Sequence, residues 1–171
     1  MIISKSNSSL IFRLSGRTGI LPYHHDTYDR RIQLGASRER RKDAEALHSA
    51  GRWTGAMYLA GYAIECSLKS LICFMEAKSS FRDTRIFRSG SHNATLHNLS
   101  HLLEYLPVLQ RAISLDRTGV YKNAWNTITS MWQKDELRYW NKLEDESRCK
   151  RFIEAVKVMH QFILSHQGET S

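Results

Sequence analysis

Proline is nearly absent: Pro22 and Pro107 are the only two in 171 residues. A helix can therefore run without interruption through most of the stretch between and after them. The three cysteines, Cys66, Cys73 and Cys149, are an odd number with no paired CxxC spacing. A disulfide framework is not expected, and the three read as reduced, largely buried thiols of a cytoplasmic protein. No run approaches the ~18 apolar residues of a membrane helix, so no membrane contact is expected. A Gly-rich phosphate loop, a serine nucleophile elbow, a Cys–His pair, an internal repeat and a low-complexity tract are all missing. These gaps remove the commonest routes to nucleotide hydrolysis and acyl transfer. What remains is an apolar-rich chain with four Trp, six Phe and seven Tyr, long enough for one domain with a sizeable core.

Positive charge is present in excess and unevenly placed. Residues 1–42 hold nine Lys or Arg against three acids, whereas the rest holds sixteen against fourteen. The basic segment runs through Arg30, Arg31, Arg38, Arg40, Arg41 and Lys42. A basic arm can hold phosphate without joining the fold; a solvated arm leading into the polar start of a helix is the alternative. Residues 1–35 show no sustained period and read as a flexible basic N-terminal arm. Its first part superficially resembles a transit peptide but lacks the amphipathic face. The domain proper is expected over 36–166, with a short tail at 167–171.

Within that domain the pattern predicts about five helices. Ser37 is an acceptable N-cap for the first, and Gly51 sits where a helix stops. The second, from Trp53 to about Ala77, is apolar nearly all round, as a central buried helix must be. Gly55 and Gly61 within it permit close approach by neighbours. Residues 78–95 read as a loop carrying Lys78, Arg82, Arg85 and Arg88 against the single Asp83. Leu99, Leu102, Leu103 and Leu106 mark a third helix that Pro107 ends or kinks. Tyr121, Trp125, Ile128 and Trp132 mark a fourth. After a connection around 138–141 comes the last, whose acidic start at Glu144, Asp145 and Glu146 suits the helix dipole. The fold class is all-α, an up-and-down bundle.

Three segments, in order, carry a family resemblance. Gly51-Arg-Trp-Thr-Gly-Ala-Met-Tyr-Leu-Ala-Gly-Tyr-Ala-Ile-Glu-Cys-Ser-Leu-Lys69 resembles the second-helix region of HEPN domains (higher eukaryotes and prokaryotes nucleotide-binding). His97-Asn-Leu-Ser-His-Leu-Leu resembles the His-x-Leu-x-x-Leu-Leu segment of that family. Trp132, Arg138 and Tyr139 resemble its Trp…Arg-Tyr segment ahead of a final helix. The resemblance covers about residues 36–165. It implies a HEPN-like helical bundle, commonly a homodimer, associated with RNA cleavage, nucleotide binding or partnership with small nucleotidyltransferases. It also departs from the family, whose ribonucleases carry Arg-x(4–6)-His near a late helix. Here Arg151 and His160 lie nine apart, about 900° round a helix and so on opposite faces. Arg41 and His48 have the spacing and share a face at about 700°, but on the first helix.

Several residues stand out as candidates. Glu65 is an acid inside an apolar helix, and an unpaired buried carboxylate is costly. Lys69 at i+4 is its nearest partner, and Arg138 is a second that folding could bring. The two readings of Glu65 are an internal salt bridge and a polar patch in a ligand cleft. With His97, Arg138 and Tyr139, Glu65 and Lys69 form the ligand-binding or polar-cleft set; Arg30, Arg31, Arg82, Arg85 and Arg88 form the phosphate-contact set. His97 and His101 make HxxxH but lack further ligands and the Glu of HExxH, so no metal is expected. His24-His25-Asp26 lies in the arm. Tyr121, Trp125 and Trp132 have the spacing of a core face, with base stacking the alternative.

The expected function is a dimeric HEPN-like module binding RNA or nucleotide, a nucleotidyltransferase partner, or both, with no cofactor and without the standard ribonuclease chemistry. The first alternative is a divergent metal-independent endoribonuclease of toxin–antitoxin or phage-defence type, with Arg41 and His48 as its catalytic candidates. The second is a structural helical interaction protein.

Overall fold

A computed structural model describes residues 26–90, 95–139 and 144–169. These form eight helices: α1 (Arg30–Ser49), α2 (Trp53–Met75), α3 (Arg85–Arg88), α4 (Leu99–Glu104), α5 (Pro107–Ser114), α6 (Val120–Met131), α7 (Lys134–Tyr139) and α8 (Glu146–Ser165). Single 3-10 turns at Phe81–Asp83 and Thr95–His97 precede α3 and α4. No strand occurs among the described residues beyond one isolated bridge, Asp29 with Ser80. The chain is an all-α helical bundle.

The centre is α2, as its all-round apolarity requires. From Ala56 to Cys73 nearly every side chain is buried, and α1, α8, α4 and α7 pack around it. By length and mean hydropathy α2 alone among the described residues is apolar enough to cross a bilayer, but 72% of that stretch is buried inside the bundle. Gly51, at φ +69, closes the short link that folds α1 back onto α2. Phe152, Val156, Met159 and Ile163 of α8 and Ile128 of α6 complete the core. Trp125 and Trp132 are buried, and Tyr121 stacks on Phe162 at 3.8 Å, so these aromatics serve packing. Cys73 and Cys149 are buried and Cys66 half-buried; burial pushes their thiols up to about 12, 11 and 11.

Several boundaries differ from the sequence reading. The first helix starts at Arg30, not near Ser37, because the Asp29 carboxylate accepts from the backbone N–H of Arg31 at 2.7 Å and Ile32 at 3.2 Å. Ser37 is no cap: it is buried and its hydroxyl donates to the Leu34 carbonyl at 2.8 Å. The boundary at residue 35 thus falls inside α1, whose first turns bury only Leu34 and so show no period. Residues 1–25, with His24 and His25, lie outside the described residues. Pro107 opens α5 at its first position, where a missing N–H costs nothing. The stretch 78–90 is docked rather than loose, since Phe81 and Ile86 are fully buried. The connection at 138–141 begins in a helix, α7, which buries only Leu137 and is too short to show a period. The tail is tied down at Gln167, which accepts from Ser70 at 2.9 Å, and at Glu169, which pairs with Arg38 at 2.8 Å.

Where α8 crosses α1, His160 is fully buried. Its Nε2–H donates to Ser37 at 3.1 Å, and Nδ1 has no partner among the described residues. Burial, then Arg41 and Arg38, lower the imidazole from 6.5 to about 4, with Glu45 opposing. The unfolded chain therefore binds this proton near pH 6.5 and the folded one only near 4. Between those values stability falls as acid is added, by about 3 kcal/mol in full. Urea unfolding from pH 7 to 4 should show this loss, and His160→Gln should flatten the curve. Identical pH profiles for the two proteins would contradict the assignment.

Candidate functional site

Tyr58, Tyr62, Glu65 and Lys69 fall at i, i+4, i+7 and i+11, so they line one face of α2. This polar stripe crosses a helix that is apolar elsewhere. At its middle Glu65 is 3% exposed and Lys69 6%, and Lys69 Nζ donates to Glu65 Oε1 at 2.7 Å. His97 reaches the same oxygen: its Nδ1–H donates at 2.7 Å. Burial pushes the Glu65 carboxyl up, but His97 and Lys69 outweigh it and hold the group below its ordinary range. Glu65 is therefore an ionised carboxylate clamped by two donors. Its other oxygen, Oε2, is buried with no partner among the described residues. The expected second partner, Arg138, does not reach Glu65 and is replaced in that role by His97.

Arg138 instead serves the tyrosines. Its Nε donates to the Tyr58 hydroxyl at 3.1 Å and its Nη2 to the Tyr62 hydroxyl at 3.1 Å. The two hydroxyls are 3.3 Å apart, and the rings meet edge to face with centroids 5.0 Å apart. Burial raises both phenols. At Tyr62 it prevails, to about 12, whereas at Tyr58 the hydrogen bonds from Tyr62 and Arg138 win and the phenol is lowered. Arg138 is exposed, and Tyr139 beside it, 77% exposed, is a third tyrosine in contact with its guanidinium.

Trp132, at the end of α6, fixes α7 and hence Arg138. Its Nε1 donates to the Tyr58 carbonyl at 3.3 Å, and its ring stands edge-on to Tyr62 at 5.5 Å. The space for the indole exists because Gly61 has no side chain: a Cβ there would lie 2.0 Å from Nε1. Next to Trp132 opens a cavity of about 430 Å³, lined among others by His97, Asn98, Thr129, Gln133, Lys134 and Asp135. Lys134 lies one turn before Arg138 on α7 and also lowers the Tyr58 phenol. One cation, Lys134, the carboxylate of Asp135, the His97 imidazole and several neutral polar groups therefore line the opening, with Arg138 one turn further along α7. The arrangement suits an anion attached to a polar, flat body.

Glu65, Lys69 and His97 form one hydrogen-bonded cluster, and Arg138, with Tyr139 beside it, meets the two tyrosines of the same α2 stripe. Tyr58, Tyr62, Trp132 and Lys134 belong to the same site and were missed as site residues. The i+4 tyrosine pair on the face of Glu65 was the available signal, masked by the aromatic content expected of a core helix. Arg41 and His48 do not join them. Arg41 pairs with Glu45 at 2.6 Å, and His48 lines a separate cavity of about 260 Å³ between α1 and α8. His97 ends a 3-10 turn while His101 lies in α4 and bonds Glu104 at 3.0 Å, so the HxxxH pair is not on one helix. Among the described residues no three His, Cys, Asp or Glu side chains group as metal ligands. No protein-family model, curated protein or solved structure matches the chain.

Proposed function

We propose that this chain is a HEPN-like helical module that binds RNA or a nucleotide in the groove over α2. It acts as a homodimer, alongside a nucleotidyltransferase where one is present, and without the family's standard ribonuclease chemistry. The resemblance of three ordered segments supports the family. One observation carries the binding reading: Lys134 lines a polar cavity walled by His97 and Trp132, and one turn further along the same helix the exposed Arg138 is held by tyrosine hydroxyls. The tyrosines fix the guanidinium before ligand arrives, so little side-chain entropy is lost on binding. A phosphate would meet the exposed guanidinium of Arg138 in place of the exposed Tyr139, and the cavity would take the sugar or base.

A second reading, a metal-independent endoribonuclease, is favoured by the Glu65–His97 pair, in which a buried carboxylate orients an imidazole toward acid–base work. Product formation from labelled RNA in the presence of chelator would select it.

Fluorescence anisotropy with labelled RNA tests the binding reading. Affinity should fall with salt, and Arg138→Ala should weaken binding at least tenfold while lowering the log–log salt slope by about 0.7, one phosphate's share on a single strand. An unchanged affinity for Arg138→Ala would refute the groove as the site.

A further inference from the structure

Folding joins two basic clusters that are far apart in sequence. The start of α1 is bonded to the 79–81 segment: Arg30 N–H donates to the Ser79 carbonyl at 2.7 Å, and Phe81 N–H to the Tyr28 carbonyl at 2.7 Å. Arg30 and Arg31 thereby line, with Asp29 and Ser79, a cavity of about 300 Å³ next to the segment that carries Lys78 and Arg82.

The acids of this surface are already engaged. Asp29 caps α1, Asp26 accepts from Ser80 at 3.2 Å, Glu76 pairs with Arg85 at 3.2 Å, and Asp83 pairs with Arg88 at 2.8 Å. Arg85 and Arg88 are the partly neutralised members of the phosphate-contact set, each in an exposed ion pair. Arg30, Arg31, Lys78 and Arg82 have no carboxylate partner among the described residues. Two of these lie on aromatic rings: the Arg82 guanidinium is 4.4 Å from the Tyr28 ring centre, and that of Arg30 is 5.7 Å from Phe74.

We infer that this end of the bundle is a second RNA-contact surface, so that the ligand of the groove is a single-stranded RNA that runs on across it rather than a free nucleotide. The inference rests on the groove reading above. The two places are coupled through the interior of the bundle, where the buried Lys69, last member of the stripe, lies 5.4 Å from the ring of the buried Phe81, the neighbour of Arg82. From Tyr62 to Phe74 is about 18 Å along α2 and about 120° around it, so a strand that touches both must wrap part of the bundle, which a few nucleotides can do. Guanidinium groups stacked on rings offer flat faces to bases and edges to phosphates. An acidic protein would use the edges alone, which is why the stacked geometry favours RNA.

Binding of a labelled adenosine monophosphate and of a labelled single strand of about a dozen nucleotides separates the possibilities. Wild type should hold the strand at least tenfold more tightly than the mononucleotide. Arg31→Ala/Lys78→Ala/Arg82→Ala should abolish that advantage and lower the strand's salt slope by about 2. Binding of the mononucleotide should stay unchanged. Arg31→Ala/Lys78→Ala, which keeps the Arg82–Tyr28 stack, should lose most of the same advantage. Equal binding of strand and mononucleotide by wild type, or a triple variant that holds the strand like wild type, would overturn the inference and leave the groove standing. Polyglutamate displacing the strand as effectively as unlabelled RNA would overturn it in favour of an acidic protein. Failure of wild type to bind either probe would overturn the groove reading itself.

Discussion

Replacing Glu65 with Ala is expected to cost about 3–5 kcal/mol of stability, the usual penalty for breaking a buried pair from one side. The carboxylate is 3% exposed and a single oxygen accepts from both Lys69 and His97. Removing it leaves the Lys69 ammonium, itself 6% exposed, without its counter-charge and with poor access to water. Glu65→Gln keeps the shape and an acceptor oxygen, so its loss should be smaller, about 1–2 kcal/mol. For a chain of this size the alanine variant should melt roughly 8–15 °C lower. A melting temperature within a degree or two of wild type would show that Glu65 is solvated and not an internal clamp. The same substitution frees His97, so RNA affinity should drop along with stability; the glutamine variant separates the two effects.

Gly61→Ala should destabilise where an ordinary helix would gain. Alanine in place of glycine normally adds about 1 kcal/mol to an α-helix. Here the new Cβ would stand 2.0 to 2.2 Å from three atoms of the Trp132 indole, which is 8% exposed and flanked by Tyr62. The ring cannot flex away at its far end, so α6 and α7 must move, and overpacking of this kind costs about 1–3 kcal/mol. Movement of α7 carries Arg138 off the two hydroxyls, so RNA affinity should fall in the same variant. In the pair Gly61→Ala/Trp132→Leu the losses should sum to less than the two single losses, because removing the indole removes the clash. A Gly61→Ala protein more stable than wild type would contradict the packing described.

The fold could be read from the chain wherever apolar spacing ran for several turns. That holds for α2, whose buried faces leave no other place for it than the centre, and for α6 and α8. It failed where a short polar or single-residue cue decided the structure. Asp29 caps α1 eight residues ahead of Ser37, a choice between two good capping residues that spacing alone does not make. α7 is held by the buried Leu137 and by Trp132 in the notch of Gly61, and a contact across sequence of that kind leaves no period. For the site, Glu65 announced itself as a charge out of place, and Lys69 followed from helical spacing. That His97 would take the second bond while Arg138 went to Tyr58 and Tyr62 depended on where α4 and α7 dock. Only the folded chain decides that.

The central claim, that RNA is held in the groove over α2, is tested most directly by nuclear magnetic resonance of the histidine side chains during titration with single-stranded RNA. Histidines at three sites report on three places: His97 in the groove, His48 in the α1–α8 cavity, and His160 in the core. The account predicts that the His97 ring signals move with RNA and saturate, while those of His48 and His160 stay in place, and that Arg138→Ala abolishes the movement. A titration in which His48 moves and His97 does not would contradict it, placing the ligand between α1 and α8.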